Sequence, residues 1–78
     1  MNNLDHYNMA FMDTLNVEED ALSGLSFQDV PSWDSVGHMQ LVAALEDKFD
    51  IMMDPDDIID LSSYEKGKEI LKKYDIEL

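Results

Sequence analysis

A chain of 78 residues without a single cysteine has few ways to hold itself together. Domains of this size bury a smaller share of their surface than larger ones, and many add disulfides or metal sites. The lack of cysteine removes disulfides, thiolate zinc sites and thiol nucleophiles together. Hydrophobic residues make up 45% of the chain, which is enough for the core of a helical bundle. We therefore predict one all-α domain spanning residues 1–78.

The charge is strongly negative and unevenly distributed. The net charge is −13, half of the 18 acidic residues precede Lys48, and all five basic residues lie from Lys48 onward. Such a field repels nucleic acids and anionic membranes and attracts basic protein surfaces, although excess charge can equally serve solubility. No apolar stretch approaches the roughly 20 residues of a membrane span, and the start of the chain lacks a signal-peptide pattern. We expect a cytoplasmic monomer that binds no nucleic acid.

Hydrophobic spacing predicts four helices, of which the third is short. Apolar residues at helical spacing indicate a first helix from about Asn3 to Leu15 and a second from Asp34 or Ser35 to about Phe49. The acidic segment 54–61 has proline at its first turn and predicts the brief third helix. The fourth helix should begin at Ser62 or Ser63 and carry lysines in its final turn.

The segment between the first two helices, residues 16–34, reads as a long loop held down by apolar anchors. These anchors are Val17, Leu22, Leu25, Phe27 and Val30. A loop of this length is unusual in so small a domain and is more often functional than not.

The second helix presents two different faces. Its core stripe consists of Leu41, Val42, Leu45 and Phe49, and the opposite side carries Val36, Met39 and Ala43 among Gln40, Glu46 and Asp47. Isolated apolar residues are common on protein surfaces. A short apolar strip with an acidic margin, however, favours a docking surface for a partner.

Ser35 has two interpretations. A serine just before a helix is most often only an N-cap, and Asp34 could equally fill that position. A phosphate attached to Ser35 would lie near the positively polarised end of the helix, and Asp34 could help to hold Mg²⁺ during its transfer. The position of Ser35 in the sequence does not by itself distinguish an N-cap from a phosphate attachment site.

The sequence around this serine resembles the acyl carrier protein family. The resemblance lies in Asp34-Ser35-Val36, in Leu41-Val42-x-Ala44-Leu45-Glu46-x-x-Phe49 and in the acidic segment Asp54-Pro55-Asp56-Asp57, and it covers the whole chain in length and helix layout. It implies a four-helix bundle of acyl-carrier type, with three longer helices. The tryptophan at position 33, directly before the motif, resembles the variant seen in several stand-alone carriers of specialised pathways.

The resemblance implies a covalent 4′-phosphopantetheine arm on Ser35, supported by Asp34 and installed from coenzyme A by a phosphopantetheinyl transferase. The arm would carry acyl or amino-acyl groups as thioesters, and the chain itself would not be an enzyme. Loading ligases or transferases and downstream synthases or acyltransferases, with basic docking surfaces, would recognise Val36, Met39, Ala43, Glu46 and Asp47.

Two positions depart from carriers of fatty acid biosynthesis, because Gly37 and Gln40 stand where exposed acids are usual. A dedicated carrier for polyketide, other secondary-metabolite, amino-acyl or glycan chemistry is therefore at least as well supported as service to fatty acid synthesis.

Three other functions compete with the carrier interpretation. A calcium loop would use Asp54, Asp56 and Glu65, but its required glycine position holds Ile59, and helix capping explains these acids better. A serine hydrolase would need His6 or His38 as a base and lacks a nucleophile elbow; His38 is more simply a packed residue near the helix start. The third rival is an acidic interaction module that is never modified. No metal site is predicted.

Overall fold

Four α-helices and one 3₁₀ turn make up the computed structural model, which describes residues 2–78. The helices are α1 (Asn3–Leu15), α2 (Ser35–Phe49), α3 (Pro55–Asp60) and α4 (Tyr64–Lys72). The predicted small helical bundle with a short third helix is confirmed. Over residues 2–78 the structure contains no strand, and its only extended pairing is an isolated bridge between Ser26 and Ser63.

Local side chains define where the helices begin and end. Ser63 caps α4, because its hydroxyl accepts a hydrogen bond of 3.0 Å from the Lys66 amide, and Ser62 stays outside the cap. The first two helices each end at a left-handed residue, Asn16 with φ 55° and Asp50 with φ 53°. Asn and Asp tolerate this conformation better than most residues, which explains why both helices stop there.

An aromatic cluster forms the centre of the core. Phe11, which is fully buried, contacts the rings of Tyr7, Trp33 and Tyr64 at centroid distances of 4.9, 5.6 and 5.3 Å. These residues come from α1, the long loop and the start of α4, so the cluster joins three parts of the chain. The predicted core stripe of α2 packs against it, with Leu41, Val42 and Leu45 buried and Phe49 half-buried.

Gly67 makes room for the Tyr7 hydroxyl against α4. The Tyr7 hydroxyl donates a hydrogen bond of 2.6 Å to the carbonyl of Tyr64, and a Cβ atom at position 67 would lie 2.1 Å from that hydroxyl oxygen. Burial raises the pKa of Tyr7 far above its ordinary value, so the phenol remains a donor. Glycine thus allows the Tyr7 side chain of α1 to reach the backbone of α4 and form a buried hydrogen bond.

The long loop between α1 and α2 is packed against the bundle. Of its predicted anchors, Leu22 and Leu25 are buried, and Val17, Phe27 and Val30 are half-buried. The 3₁₀ turn Glu19–Ala21 lies within this loop and was not predicted. Two backbone hydrogen bonds, from the Phe27 amide to the Ser62 carbonyl (2.8 Å) and from the Tyr64 amide to the Leu25 carbonyl (2.9 Å), join the loop to the start of α4.

Between residues 2 and 78, none of the helices is both long enough and apolar enough to cross a bilayer.

Candidate functional site

Ser35 is the first residue of α2, and its side chain is exposed. The capping bond is made by its neighbour Asp34, whose carboxylate accepts a hydrogen bond of 2.8 Å from the Gly37 amide. Of the two candidate caps, the structure therefore uses Asp34. The Ser35 hydroxyl is left outside the cap, at the positively polarised end of a helix of 15 residues.

Gly37 is buried rather than exposed, which corrects the expectation from the sequence. A Cβ atom at position 37 would lie 1.9 Å from the carbonyl oxygen of Ser32, well inside any allowed contact. The first turn of α2 thus lies directly against the backbone of the preceding loop. Because no side chain fits there, the lack of an acid at position 37 reflects packing and carries no information about partners.

The loop that leads into Ser35 is held from both sides. The Ser32 hydroxyl donates a hydrogen bond of 2.6 Å to the carbonyl of Leu15 at the end of α1. Trp33 is completely buried, and its indole N–H donates to Nδ1 of His38 at 3.0 Å. These contacts orient the start of α2 and leave Ser35 at the surface.

His38 connects the start of α2 with α3. Its Nε2 atom lies 2.7 Å from the carbonyl oxygen of Ile58, and its Nδ1 atom accepts from Trp33. The histidine is half-buried, as expected for a packed residue near the helix start. With both ring nitrogens engaged, neither is free to take a proton from the Ser35 hydroxyl.

An open apolar groove of about 370 Å³ begins at Ser35 and extends toward α3. Its walls are formed mainly by apolar side chains from the loop, α2, α3 and the segment that follows α3. The lining residues are Phe27, Ser35, His38, Met39, Ile58, Ile59, Leu61 and Ser62. A groove of this composition suits an apolar group far better than a charged one.

The apolar strip on α2 is exposed, as its spacing predicted. The exposed fractions are 66% for Val36 and 53% for Met39, and Ala43 is also exposed. Sequence reasoning missed two further exposed apolar residues, Met52 at 87% and Ile59 at 78%. Ile59 shares the groove wall with Met39, so the strip and the groove meet at one place.

The two acids expected beside the strip are in different environments. Asp47 is exposed, whereas Glu46 is half-buried and accepts a hydrogen bond of 2.9 Å from the Met53 amide. Glu46 therefore also holds the segment between α2 and α3. Both acids lie in the second half of α2, away from Ser35.

Asp57 has a role that sequence reasoning missed. Its buried carboxylate accepts hydrogen bonds from the Lys73 ammonium at 2.5 Å and the Tyr74 hydroxyl at 2.7 Å, both just beyond the end of α4. These bonds lower the pKa of the Asp57 carboxyl, and the same contacts raise the pKa of Lys73 and of Tyr74. The Tyr74 hydroxyl also accepts from the Asp54 amide at 2.9 Å.

The acids of α3 do not behave as simple caps. Asp54 occupies the N-cap position, but its side chain makes no capping hydrogen bond, contrary to expectation. Asp56 is exposed in the first turn, where the helix dipole favours an acid. Over residues 2–78 no group of three or more His, Asp or Glu side chains is arranged to hold a metal ion.

No family model, curated protein or solved structure matches this chain.

Proposed function

We propose that this chain is a carrier protein that holds acyl or amino-acyl groups as thioesters on a 4′-phosphopantetheine arm attached to Ser35. The observation that carries the proposal is the placement of this serine. Ser35 is exposed at the first position of α2, Asp34 makes the capping bond in its place, and an apolar groove opens beside it. The chain is the substrate of other enzymes and is not itself a catalyst.

The start of α2 suits the phosphodiester that this attachment requires. In the transfer, the Ser35 oxygen forms a bond to the β-phosphorus of coenzyme A and the pyrophosphate bond breaks. Adenosine 3′,5′-bisphosphate leaves, and the hydroxyl proton passes to a base of the transferase. The product places a negative charge next to the free amides of a helix N-terminus, where it is stabilised. Asp34 lies beside Ser35 and is available to the Mg²⁺ that assists the transferase.

The groove supports a role in sheltering the cargo. It reaches Ser35 itself, so an arm attached there can fold back and place an apolar acyl group against Met39, Ile58 and Leu61. Burying apolar surface is favourable by about 25 cal/mol per Å². Because the chain has no cysteine, the thiol of the arm is the only one the protein would carry.

The exposed strip and its acids support docking by enzymes with basic surfaces. Val36, Met39 and Ala43 supply apolar contact, and Asp47 and the outer oxygen of Glu46 supply charge. Ile59, which lines the groove together with Met39, extends this surface. The partners are a phosphopantetheinyl transferase, a loading ligase or transferase, and a downstream synthase or acyltransferase.

Intact mass spectrometry tests the attachment. The chain is incubated with coenzyme A, Mg²⁺ and a phosphopantetheinyl transferase of broad specificity, and we expect a gain of one phosphopantetheine. Ser35→Ala should abolish the gain, whereas Ser62→Ala, which removes the other serine at the groove, should leave it intact. An unchanged wild-type mass would reject the carrier and favour an unmodified acidic interaction module. A mass gain that persists in the Ser35→Ala variant would reject Ser35 as the attachment site.

We further propose that the carrier serves a dedicated pathway rather than primary fatty acid synthesis. Of the two departures from the fatty-acid type, only Gln40 still supports this, because Gly37 is explained by packing. The test offers the loaded carrier to housekeeping fatty acid synthesis enzymes, and we expect poor elongation. Gln40→Glu should improve it, and efficient elongation of the wild-type carrier would overturn this assignment.

A further inference from the structure

His38 is the point at which three parts of the structure meet. It lies on α2, its Nδ1 atom accepts a hydrogen bond of 3.0 Å from Trp33 in the loop, and its Nε2 atom contacts the Ile58 carbonyl of α3 at 2.7 Å. The ring packs against the rings of Phe27 and Trp33 at centroid distances of 5.5 and 6.3 Å. One side chain thus joins the segment before Ser35 to the helix on the far side of the groove.

The two hydrogen bonds determine the tautomer of His38. An indole N–H can only donate, so Nδ1 of His38 must carry a lone pair. A carbonyl oxygen can only accept, so Nε2 must carry the hydrogen. The arrangement is therefore complete only for the neutral imidazole. Adding a proton to Nδ1 would place one N–H against another and break the bond from Trp33.

The contact with Ile58 matters because α3 is short. A helix of six residues leaves most of its carbonyl groups without a partner inside the helix, and His38 satisfies one of them. Ile58 and Ile59 line the groove, but Ile58 is only half-buried and Ile59 is 78% exposed. The fully buried Leu61 follows the last residue of the helix. Because no apolar side chain within α3 is fully buried, polar contacts also contribute to the position of the groove wall.

We propose that His38 is a positioning residue that holds α3 as the wall of the groove beside Ser35, and that protonation of its ring loosens this wall. The inference rests on the proposed function only for the identity of the groove's natural ligand. For a carrier, it means that mild acid weakens the shelter for the cargo.

Few other groups can produce a change over the same pH range. Phe27 and Trp33, which pack against the ring, do not titrate there. At the start of α2 the N-cap residue Asp34 accepts from the Gly37 amide, and on α3 the residue next to Ile58 is Asp57, which is bound to Lys73. The lowered pKa of Asp57 keeps that second anchor of α3 ionised in mild acid. Asp54, at the start of α3, has an amide bonded to Tyr74.

Nuclear magnetic resonance of the unmodified full-length chain tests the inference without requiring the arm. At about pH 8, the ¹⁵N shifts of His38 should show the hydrogen on Nε2 alone. On lowering the pH to about 5.5, the indole N–H of Trp33, the only tryptophan, should lose its hydrogen-bonded shift with the midpoint of His38. The protection factor of the Leu61 amide, which is its exchange rate relative to the intrinsic rate at the same pH, should fall with the same midpoint, because this amide donates to the Asp57 carbonyl at the end of α3. A hydrogen on Nδ1 at the higher pH, or a Leu61 amide that does not respond, would overturn the proposal.

Binding of the neutral apolar dye N-phenyl-1-naphthylamine measures the effect on the groove. We expect the wild-type chain to bind it roughly fivefold more weakly at about pH 5.5 than at about pH 8, as the loss of one hydrogen bond predicts. His38→Gln, which keeps a neutral donor, should remove this pH dependence, and His6→Gln, which removes the other histidine, should keep it. Dye binding that follows pH equally in wild type and His38→Gln contradicts the proposal. Because no arm is present, this result is independent of whether Ser35 is modified.

Discussion

The aromatic core and α3 are held by different kinds of interaction. In the core, Tyr7, Phe11 and Trp33 are completely buried, and the Phe11 ring packs against the rings of the other two. In α3 the only buried side chain is a carboxylate, Asp57, and Ile59 is largely exposed. Apolar burial is non-directional and shared among many contacts, whereas a few polar contacts can each be broken by a single change. We therefore expect the wall of the groove, and not the aromatic core, to be the part of the molecule that a single local change can move.

The largest expected effect lies in the core. Phe11→Ala should lower the free energy of unfolding by about 3–5 kcal/mol, because the ring contacts three others and the cavity cannot collapse. This is a large share of the roughly 5–15 kcal/mol available to a small domain. Urea denaturation followed by circular dichroism measures it. A loss below about 1 kcal/mol would mean that the core is not the main source of stability.

The second-largest effect on stability is expected at the contact between the loop and the start of α2. Gly37→Ala should destabilise the chain by about 1–3 kcal/mol, because the new methyl group must displace the Ser32 carbonyl. Alanine would otherwise favour a helix over glycine by up to about 1 kcal/mol, so the sign of the effect separates the two explanations. Gln40→Ala, on the exposed side of the same helix, is the control and should change little. A stabilised Gly37→Ala variant would show that the loop can move.

The stability that the Asp57 carboxylate contributes by holding α3 should depend on pH in a defined direction. Because the pKa of Asp57 is lowered in the folded state, its carboxylate stabilises the fold above the ordinary carboxyl pKa, and this contribution is lost as pH falls through the lowered value. Asp57→Asn should therefore be less stable than wild type at neutral pH, and the difference should shrink below about pH 4. Urea denaturation at several pH values measures the destabilisation at neutral pH and its decrease in acid.

Asp56→Asn is the matched control, because Asp56 is exposed on the same helix. It should leave the stability almost unchanged at every pH. If the free energies of unfolding of Asp57→Asn and wild type still differ in strong acid, the shape of the Asp57 side chain, rather than its charge, accounts for its contribution to stability.

The smallest effect should come from the exposed apolar residues. Met52→Ala should change the free energy of unfolding by less than about 0.5 kcal/mol, since Met52 is 87% exposed. Its neighbour Met53 is buried, and Met53→Ala should cost about 2–5 kcal/mol. Thermal denaturation of the two variants side by side measures the contrast. Equal losses would show that Met52 packs within the fold and is not available to a partner.

The helix layout could be predicted because its signals are local. The spacing of Leu4, Tyr7, Phe11 and Leu15 and the proline at position 55 act within a few residues, and the structure confirms the helices that they predict. The core stripe and the exposed strip of α2 follow from the same periodicity. Asp34 and Ser35 are neighbours that can both serve as the N-cap of α2. Local rules do not determine which of the two makes the capping hydrogen bond.

The features that were missed depend on approaches between distant segments. The burial of Gly37 arises because the backbone at Ser32 turns back onto the helix. The bond between Asp57 and Lys73 joins residues 16 apart, and the contact between His38 and Ile58 joins residues 20 apart. No periodic pattern marks such pairs, since each depends on the angle at which two helices pack.

By itself, the sequence determined an acidic helical bundle with an exposed apolar strip beside a serine at a helix start, because helical periodicity and capping act over short distances. Only the tertiary structure decided that Asp34 is the cap, that a groove opens at Ser35 and that His38 and Asp57 hold α3. These outcomes depend on which side chains meet once the core has packed, and a buried polar group takes whichever partner the packing brings within reach.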